Sequence, residues 1–395
     1  MRSSFSFQCH LCLIAATVLL SWSPTYCAAA NGSENANESL WRVTFTDSND
    51  ARQTIEGRLI VEAVDGGLLI ADRGGALWNI TPDRIISSED TNSAYRPFSR
   101  DEARQQLREE FGEQFAVVTT KRYVICSAAG RPYAKWCGML FERLFAGFYA
   151  HWNKKPLDLR QPSGPLVAIV FANHADFAKY ATRDAGPATA RSKGYYSTRT
   201  NRIVLYDLTS ENKRPARTIA EINQQLGKSL FNVATVVHEA THQIAFNCGL
   251  HTRYADNPLW LTEGMAMYFE TPDAKNRSGW RTIGKLNPSR LRQFQKSLTD
   301  QDNRLSLESL IATDDRFQDP EVAAAAYAES WALSYFLIKT RRQQYATYLK
   351  SISAKGVLQF DTREQRLAEF RAAFGDDVAA LEQRFARYMK RVGRR

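Results

Sequence analysis

The chain has 395 residues, 44% of them apolar, and a formal net charge of +10. That is ample core for one large domain or two. Its basic residues are spread along the chain without the arginine–aromatic interleaving of a nucleic-acid module, so no nucleic-acid partner is expected. Residues 1–30 read as a secretory signal peptide: Arg2 opens it, Leu11 to Trp22 is an apolar run too short to cross a bilayer, and Ala28-Ala29-Ala30 offers small residues for cleavage. No later stretch is long and apolar enough to span a membrane, so the expectation is a secreted or periplasmic (cell-envelope) protein. Cleavage would leave Cys126, Cys137 and Cys248, too few for a disulfide scaffold, with Cys126 and Cys137 open to pairing.

A polar linker over 31–40 precedes a run of short strands, read as a small all-β module over 41–98. Trp41, Val43 and Phe45 alternate with polar neighbours at a period of two, and Leu59-Ile60-Val61, Leu68-Leu69-Ile70 and Leu77-Trp78-Asn79-Ile80 follow between Gly-Gly turns. A barrel-like closure is one reading of this region. A charged helical connector spans 99–114, and the larger domain runs from 115 to 395. Within it, Val117–Ser127 reads as a strand, Tyr133–Trp152 as an amphipathic helix, Leu166–Phe171 as a buried strand and Asn201–Asp207 as a third strand. A helix from about Thr218 leads into the next element, and residues 285–395 read as a helical subdomain.

The element that carries chemistry is His238-Glu239-Ala240-Thr241-His242, set in the apolar, helix-compatible run from Leu230 to Phe246. Residues four apart share one helix face, so His238 and His242 can present ring nitrogens to one cation. Glu239 can take a proton from a water that such a cation activates. Asn247 to Leu250 and Asp256-Asn257-Pro258 are stop and turn signals, so a second helix begins before Glu263 and can fold back to offer a third ligand. His251 lies beyond the helix break and off the histidine face, and reads as a surface residue or one beside the site.

The H-E-x-x-H element followed by Trp260-Leu261-Thr262-Glu263-Gly264-Met265-Ala266-Met267-Tyr268 resembles the gluzincin zinc metallopeptidases. It looks most like the peptidase-MA-like (DUF1570-like) domains of bacterial secreted proteins, specifically over about 235–272 and loosely over about 117–390. The resemblance implies an α+β, zincin-like fold: a mixed sheet with active-site helices over 230–272 and a helical C-terminal subdomain, behind the β-module. It implies one Zn²⁺ per chain held by His238, His242 and Glu263, with Glu239 as general base. It also implies a transition-state-stabilising tyrosine in the helical part, for which Tyr327 is the candidate and Tyr335 the competitor. An edge strand that pairs with extended substrate is implied too; residues 202–206 are the candidate, an ordinary interior strand being the other reading.

Two departures shape the expectation. The Gly-x-Met-Glu-Asn element that anchors a substrate's free amine in aminopeptidases is absent, which favours an endopeptidase acting on a peptide or protein. Met267 stands four residues after Glu263 where thermolysin-like enzymes carry an acid, leaving Glu270 to orient a metal-bound histidine. The alternative from a different class is a non-catalytic envelope-binding protein with a structural zinc site.

Overall fold

The computed structural model describes residues 39–152, 157–210, 216–227, 230–271, 283–299 and 306–393. The signal-peptide stretch and most of the linker lie outside these residues. The architecture is mixed α+β, β-rich at its N-terminal end and helical towards its C-terminus.

The first sheet comprises β1 (Ser39–Thr46), β2 (Arg52–Glu62), β3 (Leu68–Asp72), β4 (Leu77–Ile80) and β5 (Ile85–Ala94), in the order β4-β3-β2-β1-β5. All pairings are antiparallel, and β4 and β5 are not paired to each other, so it is an open sheet and not a closed barrel. Strand β5, Ile-Ile-Ser-Ser-Glu-Asp-Thr-Asn-Ser-Ala, has almost no apolar alternation, and its long pairing with β1 makes it a strand. One small core holds Val43, Phe45, Leu68, Ile70 and Ile80. On the other side Leu69, Ala71 and Leu77 pack with Tyr254, Val357 and Leu358 of the larger part. Backbone bonds complete this seam, with Leu77 N–H donating to Arg199 O at 2.7 Å.

Helix α1 (Arg100–Phe111) follows, begun by a capping box between Ser99 and Glu102. The second sheet has the order β6-β7-β8-β10-β9, from β6 (Ala116–Thr119), β7 (Tyr123–Ser127), β8 (Leu166–Phe171), β9 (Gly194–Tyr196) and β10 (Arg202–Tyr206). The single strand expected over 117–127 is thus a hairpin, β6 antiparallel to β7. Strands β7, β8 and β10 run parallel, linked by crossover helices α2 (Gly130–Trp152) and α3 (His174–Ala185). Every residue of β7 and β8 is buried, as a sheet covered on both faces demands. Residues 202–206 form an interior strand between β8 and β9, so the edge is β9. That corrects the candidate edge strand, because the three-residue β9 is too short to show a period in sequence.

Helix α4 (Ile219–Gly227) precedes α5 (Leu230–Asn247), which packs on α2, β9 and β10. Helix α6 (Leu259–Phe269) lies between α5 and α10 (Ala323–Thr340). Around α10 are α7 (Pro288–Thr299), α9 (Asp315–Gln318), α11 (Arg342–Ser353) and α13 (Val378–Val392); α8 (Leu307–Ala312) and α12 (Arg363–Phe374) complete the helical part. Among the described residues no helix is long and apolar enough to cross a membrane. Cys126, Cys137 and Cys248 are all free and buried, so the possible Cys126–Cys137 pairing is absent. Each thiol is absorbed into the core instead, where burial pushes Cys126 and Cys248 up to about 12.

Candidate metal centre

Helix α5 is anchored before it presents any chemistry. Gln243 Nε2 donates to Val167 O at 2.9 Å and to Asn201 O at 2.8 Å, tying the helix to β8 and to the β9–β10 hairpin. This fixes the helix rotation, so the face carrying His238 and His242 looks away from the sheet towards α6. Helix α6 is started by Leu259 N–H donating to Asp314 Oδ1 at 2.9 Å. Gly264 lets it approach α10: a Cβ there would stand 2.2 Å from Ser334 Oγ and 2.4 Å from Ser330 O. That close approach fixes the neighbouring Glu263 opposite the histidines.

Three side chains meet as the sequence predicts. His238 Nε2 lies 3.0 Å from His242 Nε2 and 3.1 Å from Glu263 Oε2, and His242 Nε2 lies 3.4 Å from Glu263 Oε1. All three residues are buried, Glu263 completely. Donor atoms at about 2.1 Å from one tetrahedral ion stand about 3.4 Å apart, so this triangle is close to the size that zinc requires. Two imidazole nitrogens aimed at each other need a proton or a cation between them. Glu263 Oε1 is buried without a hydrogen bond, a further acceptor turned to the same point. The cluster can therefore hold a metal ion.

The surroundings bias the protons. Burial disfavours the charged imidazolium of His238, but bonds to Glu263 and Glu270 outweigh it and lift the group to about 10. Burial lowers His242, and the charge of His238 adds to that effect against the pull of Glu263. Glu263 would be raised by burial, yet the two histidines hold it at about 2. These influences favour a proton on His238 over one on His242, at the position a bound cation would take.

Glu270 orients the first histidine: its Oε1 accepts from His238 Nδ1 at 2.9 Å. Arg290 Nη2 donates to the same oxygen at 3.1 Å, and Asn287 Nδ2 donates to Glu270 Oε2 at 3.3 Å. Nothing in the sequence marks Asn287 and Arg290 for this task, since only the packing of α7 brings them there. Glu239 points elsewhere, towards the sheet edge, where its Oε2 accepts from the backbone N–H of Tyr196 on β9 at 2.8 Å. That donor is a main-chain group, invisible to any residue motif.

The remaining candidates separate. Tyr327 is buried in α10 with its ring edge-on to Phe317 at 5.2 Å. Tyr335 packs against Trp331 and Tyr268, with Lys339 over its ring. His251 is not a surface residue: it is 2% exposed, and neither ring nitrogen has a hydrogen-bond partner. The reason is local. Gly249 adopts φ +84°, and the N–H groups of Leu250 and His251 both donate back to Ala245 O, folding His251 under the last turn of α5.

Residues 232–359 match the model of a family described as "Protein of unknown function (DUF1570)". The matched span holds His238, Glu239, His242, Glu263, Glu270 and Tyr327 and leaves out the β-rich N-terminal part. No curated protein matches this chain.

Proposed function

We propose that this chain is an exported zinc-dependent peptidase of the gluzincin type, with a zincin-like larger domain, more an endopeptidase than an aminopeptidase. One observation carries the reading: a buried His238–His242–Glu263 cluster adjoins Glu239, a carboxylate outside the triad that is bonded to β9, the end strand of the sheet. A purely structural site has no use for that fourth group in that place.

When bound, zinc supplies Lewis acidity for the scissile carbonyl and for the attacking water. His238 and His242 would hold it through their imidazoles and Glu263 through its carboxylate, while Glu270 keeps the His238 ring in the required tautomer. Glu239 takes the proton from the attacking water and delivers it to the leaving amine. The Tyr327 phenol donates to the developing oxyanion. An extended peptide adds a strand beside β9, the end strand of the sheet, once Glu239 releases the Tyr196 N–H to act as base.

The second reading, a non-catalytic envelope-binding protein with structural zinc, draws on the burial of the whole cluster, Glu239 included at 3% exposure. Substitution Glu239→Ala separates the two. Under the peptidase reading, hydrolysis of a peptide library is abolished while one zinc per chain is retained. Hydrolysis that survived the substitution would refute Glu239 as base, and a wild-type chain that bound zinc without cleaving any peptide would favour the binding protein.

A further inference from the structure

A second site lies outside the metal cluster. Between the N-terminal sheet and the far end of α5 is a cavity of about 510 Å³, within the range of small-molecule sites, about 300–1,000 Å³. Its walls carry Arg58, Arg73, Arg160, Arg202 and Arg253, and neither an aspartate nor a glutamate lines it. None of His238, Glu239, His242 and Glu263 lines it either.

Part of the charge is answered within the protein. Glu102 meets Arg73 and Glu110 meets Arg202, both from behind the wall. Arg58 lies over the Tyr95 ring at 5.7 Å. Arg253 donates only through Nη1, to the carbonyls of Gly75, Thr198 and Arg199, and its Nε and Nη2 donors are uncommitted. A guanidinium with open donors on the wall of a basic cavity that no acid lines is suited to read an oxyanion.

We propose that this cavity binds a small oxyanion ligand, a phosphate or carboxylate, held by Arg253 and Arg58 between the two parts of the molecule. Such a ligand would also fasten the N-terminal sheet to the loop after the metal helix, because Arg58 belongs to β2 and Arg253 follows α5.

The test is titration calorimetry of the full chain with inorganic phosphate and, separately, with succinate. Saturable binding at one site is expected, weakened by about tenfold or more in Arg58→Glu and in Arg253→Gln. Arg387→Glu, an exposed charge change on α13 that does not line the cavity, should leave the affinity within about twofold. Tighter phosphate binding assigns a phosphorylated ligand, and tighter succinate binding assigns a carboxylate. No saturable binding of either anion would overturn the proposal, as would affinity unchanged in both cavity variants, which would place the anion elsewhere, the metal cluster included.

Discussion

Glu270 Oε1 stands 2.9 Å from His238 Nδ1, so the other nitrogen of that ring is the one left to face His242 and Glu263. The carboxylate is itself fixed: burial would raise it, but Arg290 and His238 keep it below the usual carboxylate range. Glu270→Ala leaves every proposed ligand in place and removes this restraint. It should weaken metal binding by about 10- to 100-fold, as loss of an outer hydrogen-bond partner typically does. Competition against a chromogenic chelator measures this, and an affinity equal to wild type would show that Glu270 merely packs.

Much of this centre was legible in sequence, and the limits are physical. The pair His238–His242 is local, set by the helix repeat, so spacing alone predicts a shared face. Glu263 needed only two helices and a turn between them, and the Asn257-Pro258 signal supplied the turn. By contrast, Arg290 and Asn287 reach Glu270 only through the docking of α7, and Tyr196 contributes a backbone N–H that no side-chain pattern encodes. Strand β5 is polar and β9 is three residues long, so neither carries a period. For His251 the surface alternative fails, because a helix stop says where a helix ends, not whether the chain then folds back beneath it.

Gly264 supports a prediction about packing. Its Cβ would meet Ser330 O, a backbone atom of α10 that no rotamer change can move. Gly264→Ala should therefore push α6 away from α10 and cost about 3 kcal/mol, at the upper end for overpacking a core. Because Glu263 is the adjacent residue, zinc content should fall along with the denaturant midpoint. An alanine variant with wild-type midpoint and zinc content would mean that the two helices are not held so closely.

A buried ion network secures the approach to α6. Arg366 of α12 donates from Nε to Asp256 Oδ2 at 3.1 Å and from Nη2 to Asp314 Oδ2 at 2.9 Å, and Asp314 also caps α6. Lys355 adds a bond to Asp256 at 3.2 Å. Arg366→Leu leaves Asp256 and Asp314 underpaired and should destabilise by about 3 kcal/mol or more, the usual result of breaking a buried pair from one side. The double variant Arg366→Leu/Asp256→Leu should recover part of that loss. Urea unfolding of the double variant and of both single variants, Arg366→Leu and Asp256→Leu, would show it, and additive losses would rule out the coupling.

His251 makes a prediction about acid. Burial, with the nearby His242 adding to it, pushes its pKa down to about 3. In the unfolded chain the same imidazole titrates near about 6.5. Between those two values the unfolded state binds the extra proton, so stability attributable to this residue is complete above about pH 6.5 and declines as pH falls towards 3. The slope is about 1.4 kcal/mol per pH unit where only the unfolded imidazole is protonated. His251→Leu removes this slope and leaves the other titrating groups in place. Urea unfolding of wild type and variant at pH 7, 5.5 and 4.5 should thus show the variant gaining on wild type at each step down, by about 1 kcal/mol between the last two. Parallel profiles would mean that His251 is protonated in the folded protein and has found a partner.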